Sequence, residues 1–446
     1  MNPPSPRPAE SLPLLATRTF ISDLPQHLDE RATVYGWVTA VRDSASILFL
    51  SVQDRTGGVQ VVVRGSAKAA LTELSPQSAV RVEGSVKTSS SARYGLVEVD
   101  AHAVHVVAPA RPRPAGQNGR RANLDQRPRH LDLRSRENFL IFEVQTAFEA
   151  AVREALLVRR FIEIHTPKIT AGGSESGAEV FHLPYFGANA SLTQSPQFYV
   201  QLAMSAGFDR VFEVGPVFRA EPAVTRRHAT EFTSIDVEMS WIETHEELMA
   251  CEEELLRYAL GAVRDAHGAE IERCFGVEVE VPQAIPRMSL AEALTLIGHD
   301  GDDLGPSGKR ISYQAEQEIS KAIRESTGSS FVFLTDFPSE SRPFYTMRDG
   351  HRSLSFDLLW RGLEITSGCQ REHRYDRLRA QAQAIGIDVA APQTYLEEHY
   401  LEQFRDGCPP HGGFGIGLNR VLMALLGRPA ISDTTFVHRG PDRFVP

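Results

Sequence analysis

The chain has 446 residues, 42% hydrophobic and 23% charged, with a formal net charge of −10. That suits two or three globular domains and excludes a body that is basic overall, the usual footprint of a nucleic-acid-binding protein. No apolar run reaches the length of a membrane span, so no membrane partner is expected. Cys251, Cys274, Cys369 and Cys408 lie far apart with no CxxC pair, which argues against a zinc site or a disulfide framework and for a reducing cytoplasm.

Residues 1–17 are proline-rich, lack the apolar segment of a signal peptide and read as a disordered tail. Residues 18–108 hold five short strand patterns separated by turn signals such as Thr56-Gly57-Gly58. That predicts a small β-barrel of the OB-fold kind, used for nucleic acid or only for packing or dimerisation. Residues 109–136 carry eight arginines among prolines and glycines, against Asp125 and Asp132. This is a basic linker, either a contact for a nucleic-acid backbone or a solvated hinge.

Residues 137–446 read as a second, larger domain. Phe142, Val144, Phe148, Val152, Ala155 and Leu156 predict a helix over 137–161, followed by a short strand closed at Thr166-Pro167. A glycine-rich loop over 169–181 carries Glu175 and Glu179, and a strand pair and a helix over 197–205 follow. Residues 211–241 predict a hairpin with a long polar loop. Phe232, Ser234, Asp236 and Glu238 share one face of its second strand. Arg219 leaves the first strand, and the loop adds Arg226, Arg227 and His228. Arginines aimed from a sheet toward one spot suit a polyphosphate, because the guanidinium fork matches phosphate oxygens. A solvated hairpin with surface arginines is the plainer alternative.

An amphipathic helix is expected over 243–267, then a mixed insertion over 276–330 with no readable motif. The segment SLSFDLLWRGLEITSG predicts a hairpin turning at Arg361-Gly362, with Asp357 and Glu364 on one face. Two carboxylates so placed suit Mg²⁺ held through phosphates and water, or are a solvated acidic pair. Glycines 412, 413, 415 and 417 read as a turn running into a helix that carries Arg420, a favourable place for an anion but not a P-loop. The elements are not in βαβ order, so the fold class is α+β, an antiparallel sheet flanked by helices and preceded by the barrel.

Three segments, RRFIEIHTPKI, FRAE followed by RRHATEFTSIDVE, and GFGIGLNR, resemble in order the three motifs of class II aminoacyl-tRNA synthetases. QSPQF, RPFYTM, EITSGCQREH and GCPPHGGFGIGLNR are most similar to aspartyl-tRNA synthetases of the archaeal and eukaryotic type. The resemblance covers about residue 18 to the end. It implies ATP-dependent activation of aspartate and transfer to tRNA(Asp), and also to tRNA(Asn) in relaxed enzymes, by a Mg²⁺-dependent cytoplasmic homodimer. By the same resemblance Arg219 and Arg420 meet the α- and γ-phosphates and, with Glu364, carry catalysis. Glu221, Arg227, His228, Phe232 and Gly417 complete the ATP site. Asp357, Glu364 and Ser367 form the metal neighbourhood. Glu175, Ser195, Gln197, Asp236, Ser367 and Arg371 hold the amino acid, with Arg371 on its side chain. Arg42, Phe49 and Gln60 read the anticodon, and Pro167 lies at the dimer interface.

Four positions depart from that pattern. Val200 stands where the family has a lysine for the side-chain carboxylate. Asn419 replaces an acidic residue, Gln53 an arginine, and FVHRG the usual LFPRD. Two alternatives follow: a diverged paralogue that activates asparagine or another aspartate-like acid, and a catalytically silent tRNA-binding or regulatory protein. Intact Arg219, Glu364 and Arg420 argue against the second.

Overall fold

The computed structural model describes residues 18–69, 71, 74–90, 94–111, 128–171, 180–222, 225–299, 311–385 and 400–443. Residues 1–17, Glu175, Glu179, Pro446 and the linker arginines Arg113, Arg120, Arg121 and Arg127 lie outside them. The chain divides into two units, residues 1–139 and 140–446. No helix among the described residues is long and apolar enough to cross a membrane.

In the first unit the alternation of valines and leucines closes a barrel. Strands β1 (Arg31–Asp43), β2 (Ile47–Asp54), β3 (Gly57–Arg64), β4 (Ala79–Thr88) and β5 (Val97–Ala108) pair in the order β1-β2-β3-β5-β4. Val34, Val38, Leu50, Val61, Val82 and Val99 point inward and are buried. A short helix α1 (Gly65–Ala69) follows β3, and α2 (Arg129–Asp132) precedes the end of the unit. Near the end of the basic segment, Arg134 is held against the barrel. The Arg134 guanidinium stacks on Trp37 at 4.6 Å and donates to Gln77 at 2.8 Å. Gln53 donates to the Arg134 carbonyl at 2.9 Å.

The second unit opens with α3 (Arg136–Val158), whose first turn spans the division. Leu140, Val144, Phe148, Ala151 and Ala155 recur at helical spacing and are buried. Next come β6 (Ile162–Glu163) and a small sheet of β7 (Ile169–Thr170), β8 (His182–Tyr185) and β9 (Ala188–Leu192), then α4 (Gln197–Ser205). The hairpin is β10 (Arg210–Phe218) with β11 (Glu231–Ser240), and α5 (Glu246–Phe275) runs beyond its expected end to cap on Gly276. The insertion forms β12 (Arg287–Ser289), α6 (Leu290–Leu296) and α7 (Tyr313–Thr327), capped by Ser289 and Ser312. After β13 (Phe331–Thr335) and the small β14 (Arg348–Asp349) and β15 (Arg352–Ser353) come β16 (Ser355–Trp360), β17 (Leu363–Gln370), α8 (Tyr375–Ala384), β18 (His411–Gly417) and α9 (Leu418–Leu426).

Eight strands form the main sheet in the order β12-β13-β16-β17-β18-β11-β10-β6. Its interior is antiparallel as expected, while the outer pairs, β12–β13 and β6–β10, run parallel. Helices α3, α5 and α9 bury their apolar stripes on one face in one core with Phe333, Phe356, Leu358 and Trp360. The other face stays polar in its middle.

Two local expectations are corrected. The glycine run is a strand, not a turn: a Cβ at Gly413 would collide with the Val237 carbonyl and the Glu238 carboxylate. The run is glycine because β18 is squeezed between β11 and β17. The second concerns the β16–β17 hairpin. It turns at Arg361 and Gly362, both at positive φ (53° and 73°), and pairs Leu359 with Glu364 as expected. One extra residue in β17 then shifts the register, so Asp357 faces Ser367 and Thr366 faces Leu358.

Candidate active site

The polar middle of the sheet carries a cavity of about 600 Å³. That is ample for a nucleotide and a small acid. Ser195, Gln197, Arg219, Glu221, Arg227, His228, Phe232, Asp236, Asp357, Glu364, Ser367, Arg371, Gly417 and Arg420 all line it. Sequence positions up to 225 apart are thus gathered on one surface.

At one end the arginines face acids. Arg219 lies over the Phe232 ring at 5.4 Å, and its buried Nε has no hydrogen-bond partner among the described residues. A buried donor without an acceptor is costly, and a ligand oxygen would satisfy it. Arg420 donates to the Glu364 carbonyl at 2.9 Å and reaches the carboxylate at 3.3 Å. Arg227 donates to Glu316 on α7 at 2.7 Å, and His228 lies 3.5 Å from Glu221. Asp357 accepts two bonds from Arg342, at 2.9 and 2.8 Å. Burial pushes the Asp357 carboxyl up, Arg342 pulls it back and Glu364 pushes it up again.

The donor set suits a divalent cation. Asp357 and Glu364 are hard oxygen donors on neighbouring strands, with Ser367 opposite Asp357. Among the described residues no three His, Cys, Asp or Glu side chains cluster as a cage. The Asp357 and Glu364 carboxylates fit Mg²⁺, which takes one or two carboxylates and fills its shell with water and phosphate oxygens.

At the other end the floor is β10 and β11, where Glu213 pairs with Asp236. Glu213 is held by Thr166 Oγ1 at 2.6 Å and Lys168 at 2.9 Å. Burial pushes Asp236 up to about 7, eased by its Ser234 bond and raised again by Glu213. Arg371 is buried and committed: Nε and Nη2 donate to the two oxygens of Glu238 at 3.0 and 3.1 Å, and Nη1 to Cys369 Sγ at 2.6 Å. Burial pushes the Glu238 carboxyl up and the Arg371 guanidinium pulls it back. Val200 is not in the cavity wall. It is buried in an apolar cluster with Ala203, Met204 and Val211.

On the barrel, Arg42 stacks on Phe49 at 4.5 Å, and Gln60 donates to Glu98 at 2.9 Å. Arg42 and Phe49 are cross-strand partners, and Gln60 opposes Ser51 two residues along β2, so the three share one side of β1-β2-β3.

Residues 121–438 match the family model of class II tRNA synthetases (D, K and N). The chain belongs to this family. In the synthetase, residues 32–107 match the OB-fold nucleic acid binding domain, and these are the closed barrel. The synthetase is 39% identical to the aspartate–tRNA(Asp/Asn) ligase of Methanopyrus kandleri, over 95% of this chain and 97% of that one. It is 37% identical to the aspartate–tRNA(Asp) ligase of Thermococcus kodakarensis, over 96% and 99%. The crystal structure of asparaginyl-tRNA synthetase from Pyrococcus horikoshii with asparaginyl-adenylate superimposes with a TM-score of 0.86 at 30% identity, over 96% of this synthetase and 99% of that chain.

Sequence reasoning missed several members of the site. Arg342 had a signal, since it opens the RPFYTM segment. Glu238 had one too, in the alternation that put it on the face of Asp236. Glu316 had none: its insertion carries no motif, and only the fold brings α7 to Arg227.

Proposed function

We propose that this synthetase activates aspartate with ATP and transfers the aspartyl group to tRNA(Asp), with tRNA(Asn) as a second acceptor. The observation that carries the reading is the cavity itself, where unsatisfied Arg219, paired Arg420 and Glu364, and buried Asp236 and Arg371 stand on one sheet face. The relatives named above support the choice of amino acid and acceptor.

In this reading adenine stacks on Phe232, and Glu221, Arg227, His228 and Gly417 line the nucleotide. Arg219 holds the α-phosphate and Arg420 the γ-phosphate. Asp236, Ser195, Gln197 and Glu175 receive the α-amino end, and Arg371 the side chain. The substrate carboxylate oxygen bonds to the α-phosphorus as the bond to pyrophosphate breaks. The protein's share is positioning and charge stabilisation. Asp357, Glu364 and Ser367 would hold Mg²⁺, which would supply neutralisation of phosphate charge. Arg42, Phe49 and Gln60 are assigned to the anticodon. We assign the reaction to the cytoplasm, where four free cysteines are at home, and the active form to a homodimer. Leu157, Val158, Ile162 and Ile169, in the stretch of chain that carries Pro167, are exposed, and we assign them to that interface.

A second reading, activation of asparagine, is favoured by one observation. Glu238 already neutralises Arg371. Amino-acid-dependent ATP–pyrophosphate exchange, followed by charging of the two tRNAs, tests both. Exchange with aspartate supports the first reading, and exchange with asparagine alone replaces it with the second.

A further inference from the structure

The insertion between α5 and β13 is the part of the synthetase for which the sequence offers no role, yet it reaches the cavity. Ser312 caps α7 by accepting from the Ala315 backbone, and the next turn presents Tyr313 and Glu316 on one side. Glu316 is nearly buried and accepts from Arg227 Nη1 at 2.7 Å. The Tyr313 ring lies 4.2 Å from the same guanidinium. Arg227 is therefore gripped from two sides by one helix, while its loop is tied down elsewhere: the Ile431 backbone donates to the Arg226 carbonyl at 2.8 Å, and the Arg227 backbone donates to Thr225 Oγ1 at 3.2 Å. Arg227 lines the cavity, whereas Glu316 and Tyr313 stand behind it. An arginine on an open loop loses several rotors when it meets a phosphate, and holding it beforehand removes that cost.

We propose that Glu316, backed by Tyr313, is a positioning residue that presents Arg227 to the terminal phosphates of ATP. The proposal rests on the ATP-binding reading of the cavity. It makes the insertion one jaw of the nucleotide site and the β10–β11 loop the other. A second, parallel pair, Arg420 with Glu364, stands in the same cavity wall, so the terminal phosphates would enter between two arginines that are each already aimed.

The groups that face Glu316 are Arg227 from the loop, Glu364 from β17, Asp357 from β16 and Arg420 from α9. Burial and then Glu364 push its carboxyl up to about 7, against the pull of Arg227 and Arg420. Its grip on Arg227 is therefore full at pH 8 and weakens as pH falls through 7.

The test is steady-state ATP–pyrophosphate exchange on the full chain, varying ATP and amino acid separately between pH 6 and 8. E316A is expected to raise the KM for ATP about tenfold, with kcat within about twofold and the amino-acid KM unchanged. E316Q, which keeps a hydrogen bond without the charge, is expected to show a smaller rise at pH 8. It should also lose the part of the pH dependence of the ATP KM that wild type shows around 7. Y313A removes a half-exposed ring and is expected to raise the ATP KM about threefold. Should E316A fail to fold, E316Q and Y313A decide the matter. An unchanged ATP KM in these variants, or equal losses for ATP and amino acid, overturns the proposal and leaves the synthetase reading standing. Wild-type protein that exchanges with no amino acid overturns that reading itself.

Discussion

The two ends of the cavity treat their arginines differently. At the proposed phosphate end, Arg227 and Arg420 are about one-fifth exposed and each meets its carboxylate through a single nitrogen, while Arg219 keeps a buried donor unsatisfied. At the side-chain end, Arg371 is buried and joined to Glu238 through two nitrogens. One end is built for partners that exchange, the other for a partner that stays. The lesson is that a carboxylate beside an arginine has two uses. Where water still reaches the pair, the carboxylate is a placeholder that a ligand can relieve. Where it does not, separating the pair costs too much, and its neutrality becomes part of what the pocket selects.

The contrast can be broken most sharply at Glu238. E238A leaves a buried guanidinium without its partner and is expected to cost about 4 kcal/mol, read as a lower denaturant midpoint at unchanged m-value. A change under about 1 kcal/mol would place the pair among the exchangeable ones. At the other end R219A is expected to leave the midpoint nearly unmoved. It should lower kcat for exchange by about two to three orders of magnitude, the worth of one preorganised donor at a developing charge. Loss of stability without loss of rate would reverse the comparison.

Protonation sharpens it further. Asp236 ionises at about 7 in the free protein because burial disfavours its charge. Its carboxylate is the form that receives an ammonium group, and that form is mostly present at pH 8 and scarce at pH 6. The amino-acid KM is expected to rise about tenfold over that fall, as the competent fraction shrinks. A flat profile would show that Asp236 does not meet the α-amino group.

The smallest effect lies beneath the sheet. Glu252 on α5 is fully buried opposite Thr366 and is pushed by burial up to about 8. Unfolded, it ionises near 4.5. The folded protein therefore holds a proton that the unfolded chain releases, and stability from this group is lost as pH rises from about 4.5 to 8. E252Q is expected to flatten that slope and to raise the melting temperature at pH 8 relative to wild type. An unchanged slope in E252Q would mean that Glu252 is already ionised in the fold.

Much of this was legible in the sequence, and what was not has identifiable causes. The barrel and the β10–β11 hairpin announce themselves because period-two alternation is a local signal. The short ordered segments supply Ser195, Gln197, Arg219, Arg371 and Arg420, which line the cavity. The β17 bulge was not legible, because one extra residue leaves the hydrophobic pattern almost intact while it turns Thr366 downward and brings Ser367 to Asp357. The glycine run was read as a turn because glycine marks both tight turns and tight packing, and only the neighbouring strands decide which. Glu316 and Arg227 are 89 residues apart, in contact through an insertion without pattern. Val200 was expected at the substrate and lies instead in an apolar cluster, because α4 turns that side toward Met204 and Val211.

The glycines of β18 have one more consequence. A stretch of wall with no side chains has nothing to substitute, and any replacement at Gly413 strikes β11 at once. Position 413 is therefore closed to side chains, and a change in what this site accepts has to be made where the neighbours stand further off, as around Gly417.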